Sequence, residues 1–265
     1  MTPAIADTMR VLVSANEKGG VGKTTLAFHA AHKLSEKRRV LVIDLDQQQS
    51  ALTEPMRAYA SPIDAISMFA EPTVIPSIGP ITLAARTRQL EALEREDPAE
   101  MAETFRASLR LCAEHYYAVV IDTPPAFGVR TSAALLVADL VIAPIELNEA
   151  SLEAVQSVVD TITAVCSHYG KPWPDLTRQR PLLVSRYDTH SPRQRALFED
   201  LSHKVGRIVV EGAIVSRDAY ARYRADACPV WNMRDRAGRM SSSIKQAADE
   251  MRAVLSEIER MMEFA

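Results

Sequence analysis

The chain has 265 residues, of which 47% are hydrophobic and 25% charged, and its formal net charge is only -3. This composition excludes intrinsic disorder and collagen-like repeats, and the length is enough to bury a full core. No run of about 18 apolar residues occurs, and the N-terminus lacks the basic flank and apolar segment of a signal peptide. We therefore expect a cytoplasmic protein with a single domain over residues 1–265, in which residues 1–9 form a flexible extension.

Seven short apolar, β-branched runs recur along the chain, at intervals wide enough to hold a helix. They are Val11–Ala15, Val40–Ile43, Ile81–Ala84, Val119–Ile121, Leu140–Ile145, Leu182–Val184 and Ile208–Ile214. Runs without polar alternation suit strands that are covered on both faces, and their spacing implies βα crossovers. The predicted fold class is α/β, with a mostly parallel, twisted sheet and helices on both faces.

Apolar residues at three-to-four spacing predict amphipathic helices at three places. The first helix follows Lys23, and the second contains the stripe from Leu152 to Val165. The third helix, over residues 241–264, closes the chain. Its apolar stripe is wide, and we expect it to pack on the core.

A glycine-rich segment from Glu17 to Thr25 lies between the first strand and the first helix. Its glycines let backbone N–H groups turn toward a phosphate, and the positive end of the helix dipole points at the same anion. Lys23 can reach the β and γ oxygens, and Thr24 supplies a hydroxyl for magnesium. The segment therefore predicts a P-loop.

Carboxylates follow two further strands, which read VLVIDLD and YAVVIDTPP. Asp44 and Asp46 end the first of these segments, and Asp122 ends the apolar part of the second. Open α/β sheets bind ligands at the carboxyl ends of their strands, and a carboxylate there can hold magnesium through water. We therefore expect all three side chains near the P-loop.

The P-loop departs from the usual pattern, because Glu17 stands where its first glycine would be and Lys18 follows. Residues 18–25, KGGVGKTT, resemble the deviant Walker A signature of a family that includes ParA partition ATPases, MinD cell-division ATPases and the nitrogenase iron protein. The resemblance implies ATP and Mg²⁺ as cofactors. It also implies an ATP-dependent homodimer, in which Lys18 reaches the phosphates bound to the partner subunit.

Residue roles follow from the same resemblance. Asp46 would position the attacking water, so the expected catalytic residues are Lys18, Lys23 and Asp46. Thr24, Asp44 and Asp122 are the expected metal-binding residues. The expected ATP-binding residues are Lys18, Gly19, Gly20, Val21, Gly22, Lys23, Thr24, Thr25 and Arg186. Partition-type members usually have proline where this chain has Gln47, whereas Gln48 matches their pattern.

Two features separate the branches of this family. The iron protein needs paired cysteines near and after the strand that ends at Asp122, but the next cysteine is Cys166. MinD-like proteins end in a basic amphipathic helix that lies on anionic membrane. Here the last helix has an acidic polar face, which includes Glu250 and Glu259. We expect neither an iron–sulfur cluster nor a membrane partner.

Charge is unevenly distributed, since residues 178–245 contain 14 Lys or Arg and 7 Asp or Glu. This excess predicts an anion-binding surface, although arginine-rich solvated helices would give the same count. The resemblance implies DNA binding without sequence specificity. The candidate DNA-binding residues are Arg193, Arg195, Arg217, Arg222 and Arg224.

The predicted function is that of a ParA-type partition ATPase associated with the nucleoid. A ParB-like or other adaptor would stimulate slow hydrolysis, and the cargo would be a plasmid, a chromosome or a protein assembly. Two alternatives remain open: a membrane-cycling positioning ATPase like MinD, and a small-molecule ligase or kinase on the same scaffold, such as the dethiobiotin synthetase relatives.

Overall fold

Seven strands form one parallel sheet in the computed structural model, which describes residues 9–46, 52–148, 151–170, 181–235 and 237–263. The strands are β1 (Arg10–Ser14), β2 (Val40–Asp44), β3 (Ile81–Ala84), β4 (Ala118–Asp122), β5 (Leu140–Glu146), β6 (Leu182–Tyr187) and β7 (Val209–Val215). Their spatial order is β3-β2-β4-β1-β5-β6-β7, and every neighbouring pair is parallel. The α/β fold class with a parallel sheet is confirmed.

Helices connect the strands. They are α1 (Lys23–Ser35), α2 (Ser67–Ala70), α3 (Pro98–Cys112), α4 (Val129–Val137), α5 (Ser151–His168), α6 (Pro192–Val205), α7 (Asp218–Asp226) and α8 (Ser242–Glu263). Short 3-10 turns occupy Arg57–Tyr59, Arg88–Arg95, Gly206–Ile208 and Val230–Asn232. Asp97 caps α3 by accepting hydrogen bonds from two backbone N–H groups, and the Ser191 hydroxyl caps α6 by accepting one, from the N–H of Gln194.

Successive residues of each strand point to opposite faces of the sheet, and both faces are covered. In β1, Val11 and Val13 enter a core built with α2 to α6. Leu12 enters a second core, built with α1, α7 and α8. This double coverage explains why the strands read as continuous apolar runs.

All seven predicted strands occur, each within a few residues of its predicted bounds. The largest difference is at β6, which runs past Val184 to include Ser185, Arg186 and Tyr187. The apolar stripe of α8 is buried from Ile244 to Met262. No helix in the described ranges is long and apolar enough to span a membrane. Residues 1–8, the departure from the family pattern at Gln47 and the match at Gln48 lie outside the described residues.

Candidate nucleotide site

Three adjacent strands bring the predicted site residues together at one edge of the sheet. In the register of the sheet, Asp122 of β4 lies beside Ser14 of β1 on one side and beside Asp44 of β2 on the other. The glycine-rich loop leaves β1 at this edge and leads into α1. The loop and the carboxylates therefore share one crevice at the carboxyl ends of the strands, which is the usual ligand position in such sheets.

Two glycines let the loop turn sharply before α1. Gly20 has φ 75° and Gly22 has φ 102°, in the left-handed region that glycine adopts without steric cost. The Gly22 carbonyl accepts the first helical hydrogen bond, from the N–H of Leu26 at 2.9 Å. The N–H groups that precede this bond lie at the positive end of α1, where an anion is favoured.

Polar side chains on neighbouring strands hold the loop in place. The Asn16 amide donates to the carbonyl of Pro144 at 2.7 Å, and its oxygen accepts from the N–H of Lys18 at 2.9 Å. The Ser185 hydroxyl lies 2.6 Å from the carbonyl of Val21. The crevice is therefore anchored to β5 and β6 as well as to β1.

Lys23 turns back over the loop, and only 6% of its surface is exposed. Its ammonium donates to the carbonyls of Asn16 at 2.9 Å and Lys18 at 3.2 Å. Burial lowers the pKa of Lys23, and the negative charges of Asp122 and Asp46 oppose that shift. The ammonium is a buried cation held by two backbone carbonyls, so it is well placed to bind an incoming phosphate by charge-assisted hydrogen bonds.

The three predicted carboxylates are buried together. Asp44 accepts hydrogen bonds from the hydroxyl and the N–H of Thr53, at 2.6 and 3.1 Å, and from the N–H of Asp46 at 3.1 Å. Burial raises the pKa of Asp44 to about 7, despite these hydrogen bonds. Burial and the charge of Asp44 likewise raise the pKa of Asp122 well above its usual range, and the nearby Thr24 hydroxyl offsets only part of that rise.

Asp122 provides the test of whether magnesium fits this site. Its side chain is 1% exposed, and neither of its carboxylate oxygens accepts a hydrogen bond of normal geometry from the described residues. Buried carboxylate oxygens without donors are costly unless a cation satisfies them. Magnesium prefers carboxylate, hydroxyl and water oxygens, so Asp122, Asp44 and the Thr24 hydroxyl are a suitable set.

Lys18, the second lysine of the loop, has different surroundings. Its side chain is 51% exposed, and its ammonium pairs with Glu146 at the end of β5, at 3.1 Å. The Gly19 and Gly20 residues that follow are also exposed. Lys18 therefore extends away from Lys23 along the rim of the crevice.

A cavity of about 680 Å³ lies beside the loop. Its walls are Gly20, Gly22 and Thr25 from the loop and α1, Ser185 and Arg186 from β6, and residues from the end of β7 and from α7, including Ser216, Arg217, Tyr220 and Arg224. Arg186 has φ 53°, which is rare for a residue with a side chain, and its guanidinium lies 3.4 Å from the carbonyl of Gly20. The size and position suit a nucleoside attached to phosphates in the loop.

The five candidate DNA-binding arginines divide between this cavity and the surface. Arg193 and Arg195 are exposed on α6, and Arg222 pairs with Asp226 on α7 at 2.8 Å. Arg217 and Arg224 line the cavity. Arg217, predicted as a DNA-binding residue, is not a free surface charge, because its Nε and Nη2 donate to the two carboxylate oxygens of Glu250, at 3.0 and 2.6 Å, and its side chain is 19% exposed.

Several groups that hold the site were not predicted from the sequence. Asn16 and Thr53 bind the loop and Asp44, as described above. The buried Arg130 pairs with Glu94, whose side chain is partly exposed, close to the strand end at Leu45. A lone charged residue inside the otherwise uncharged segment from Val129 to Val137 is the one sequence signal that could have pointed to this pair.

Comparison with known proteins decides the family. The family model described as an AAA domain matches residues 9–172. The protein IncC of Escherichia coli is 31% identical over 97% of this chain and 71% of its own length. The chromosome partitioning protein ParA of Myxococcus xanthus is 29% identical, over 83% of this chain and 78% of its own. The chain belongs to the ParA-type P-loop ATPase family.

Solved structures agree with the fold of this ParA-type chain. A plasmid partition protein from Borrelia burgdorferi, bound to AMPPNP, superposes with a TM-score of 0.71 at 22% identity and covers 96% of this chain and 99% of its own. Cobyrinic acid a,c-diamide synthase from Mycobacterium smegmatis, with an ATP analogue and magnesium, superposes with a TM-score of 0.62 at 27% identity. It covers 84% of this chain and 95% of its own. The same scaffold thus holds a nucleotide in both proteins, and magnesium in the second.

Proposed function

We propose that this chain is a partition ATPase that binds ATP and Mg²⁺, dimerises in the ATP state, binds DNA without sequence specificity and is reset by hydrolysis. The observation that carries the proposal is the crevice itself. A buried lysine lies inside a glycine loop, and the unsatisfied carboxylate of Asp122 ends the adjacent strand. This combination suits a nucleotide phosphate chain with its metal.

Each loop residue has a role in this proposal. The backbone of Gly19, Gly20, Val21 and Gly22 surrounds the phosphates, and the Lys23 ammonium leaves its two carbonyl acceptors to bind the β and γ oxygens. Thr24, Asp44 and Asp122 hold Mg²⁺, which neutralises phosphate charge when bound. Thr25 and Arg186 border the nucleoside.

Hydrolysis needs a group that orients water at the γ-phosphate. We assign this role to Asp46, which is 7% exposed and lies close enough to oppose the lowering of the Lys23 pKa by burial. A carboxylate fixed at this position holds the attacking water and accepts its proton as the bond to phosphorus forms.

Dimerisation follows from the exposed rim of the loop. Lys18 is half exposed and held by one surface ion pair, so its ammonium can be transferred to phosphates bound by a partner subunit. A cation supplied from the partner gives ATP a higher affinity for the dimer than for the monomer, and this difference is what makes ATP a switch.

DNA binding is assigned first to the exposed Arg193, Arg195 and Arg222. The sequence around them has no helix-turn-helix or zinc-finger pattern that would place a helix in a DNA groove. Such contacts reach phosphates and read no bases. Arg217 and Arg224 line the nucleotide cavity, so they contribute to DNA binding only if DNA lies across the mouth of that cavity. An adaptor of the ParB type would stimulate hydrolysis, and the dimer would reside on the nucleoid in the cytoplasm.

The deciding experiment is a DNA gel shift with no nucleotide, with ADP and with a slowly hydrolysed ATP analogue, each with Mg²⁺. We expect a shift with the analogue only, and none for Lys23→Ala. Asp46→Ala should keep ATP, accumulate as dimer and remain on DNA. Equal shifts in all three nucleotide states, or wild-type phosphate release by Asp46→Ala, would overturn the proposal.

A second candidate is a small-molecule ligase, and the likeness to cobyrinic acid a,c-diamide synthase favours it. Such an enzyme would hydrolyse ATP at a rate that depends on the concentration of a carboxylate substrate, with no response to DNA.

The MinD-like alternative needs a free apolar helix face. In this chain the apolar face of α8 is buried against α1, β7 and the 3-10 turn Val230–Asn232. ATP-dependent co-sedimentation with anionic vesicles would support the MinD-like alternative.

A further inference from the structure

An ion pair between a buried arginine and a partly exposed glutamate joins two segments close to the strand end at Leu45. The Arg130 Nε donates to Glu94 Oε1 at 2.6 Å, and the Arg130 side chain is only 7% exposed. Arg130 lies in the first turn of α4, and Glu94 lies in the 3-10 turn Arg88–Arg95. Pairs of this kind add little stability compared with apolar packing, so their position is more informative than their presence.

Glu94 also binds the start of α4. Its second carboxylate oxygen accepts a hydrogen bond from the N–H of Val129 at 2.7 Å. A Cβ atom at Gly128 would overlap this carboxylate, so the close approach requires glycine there. Glu94 therefore fixes the first turn of α4 and the Arg130 guanidinium at the same time.

Arg130 reaches from this turn to the strand end that carries the carboxylates. Its Nη1 donates to the carbonyl of Leu45 at 2.9 Å. That carbonyl belongs to the peptide unit whose N–H is that of Asp46, and this N–H donates to Asp44 Oδ1 at 3.1 Å. The peptide unit between Leu45 and Asp46 is thus held at its carbonyl by Arg130 and at its N–H by Asp44.

We propose that Arg130 is a positioning residue for hydrolysis: it holds the Leu45 carbonyl so that Asp46 faces the γ-phosphate, and Glu94 couples this hold to the first turn of α4. The inference rests on the proposed ATPase function. Without the guanidinium, the peptide unit loses the hydrogen bond at its carbonyl end, and Asp46 is held less firmly toward the γ-phosphate. Displacements of about 1 Å at such a group lower rates by about 100-fold without removing the binding site.

The test compares Arg130→Met with Arg106→Met in single-turnover and steady-state hydrolysis of MgATP. Arg106 is the matched control, because its Nη2 donates at 2.7 Å to the carbonyl of Leu136, at the far end of the same helix α4. We expect kcat to fall between about 10- and 100-fold for Arg130→Met, with KM changed less than about 2-fold. Arg130→Lys should recover part of kcat, and Arg106→Met should keep it.

A second pair of variants separates coupling from folding. Glu94→Gln keeps the shape and removes the charge, so kcat should fall less than in Arg130→Met, and the double variant should resemble Arg130→Met alone. If Arg130→Met does not fold, Arg130→Lys and Glu94→Gln decide the question. Unchanged kcat, or an equal loss in Arg106→Met, would overturn the inference. A wild-type protein that neither binds nor hydrolyses ATP would instead overturn the proposed function.

Discussion

Replacing His29 by glutamine should remove a specific part of the acid sensitivity of the fold. His29 lies on α1 among Phe28, Tyr220, Tyr223 and Trp231, and it is fully buried. Its Nδ1 donates to the carbonyl of Thr25 at 2.7 Å, and its Nε2 accepts from the N–H of Val230 at 3.3 Å. Both ring nitrogens are used in the neutral form, and protonation would turn the acceptor into a donor.

The magnitude follows from the shift in pKa. Burial, with a smaller contribution from the nearby His32, lowers the pKa of His29 from 6.5 to about 3, although the hydrogen bond to the Thr25 carbonyl opposes this shift. A base whose pKa is lower in the folded state contributes stability that is present above pH 6.5 and is lost as the pH falls toward 3. Between pH 7 and pH 5, His29 takes up a proton in the unfolded state but not in the folded state. The free energy of unfolding therefore falls by about 2 kcal/mol over this interval.

The assay is urea unfolding of wild type and His29→Gln at pH 7 and pH 5. Glutamine keeps one donor and one acceptor but does not titrate, so the variant should lose about 2 kcal/mol less than wild type over this interval. Asp44, whose raised pKa has the opposite effect over the same interval, cancels in the comparison. His203→Gln, on the exposed side of α6, controls for the loss of any histidine. Parallel losses in wild type and His29→Gln would refute the reasoning.

Three further predictions test the loop and the basic surface. Glu146→Gln should free Lys18 from its 3.1 Å ion pair and strengthen ATP-dependent dimerisation in light scattering by up to about 5-fold, since an exposed pair is worth at most about 1 kcal/mol. Gly22→Ala should lower the free energy of unfolding by about 1–3 kcal/mol and weaken binding of a fluorescent ATP analogue, because φ is 102° there. Arg193→Glu should weaken ATP-dependent DNA binding for all sequences alike and lower the slope against log salt by at least about 1, whereas Arg217→Gln should act mainly on the nucleotide.

The strands and the phosphate loop could be predicted because their signals are local. A run of four or five apolar residues identifies a doubly covered strand, and the glycines before Lys23 can only serve a tight turn. Asp44, Asp46 and Asp122 followed once the strands were known, since parallel strands end at the same edge. These inferences needed no information on how distant segments pack.

Contacts between distant segments left no such signal. Glu250 neutralises Arg217 from α8, so a count of basic residues overstated the charge available at the surface. Glu94 meets Arg130 across 36 positions, and no local pattern in the 3-10 turn Arg88–Arg95 identifies Arg130 as its partner. Charge counts report composition, whereas pairing depends on which side chains the fold brings within about 3 Å.

The two lysines of the loop illustrate how packing divides one motif between two tasks. Lys23 is buried and fixed by carbonyls of its own loop, which suits the proposed role of binding phosphates in the same subunit. Lys18 is exposed, and among the described residues its ammonium is held by Glu146 alone, through an ion pair whose loss costs at most about 1 kcal/mol. In the proposed dimer, moving Lys18 to a partner's phosphates would exchange one carboxylate for a more highly charged anion in a drier interface, where the attraction is stronger. The exchange is therefore favourable only when a nucleotide is bound to the partner, which is the condition that an ATP-dependent dimer requires.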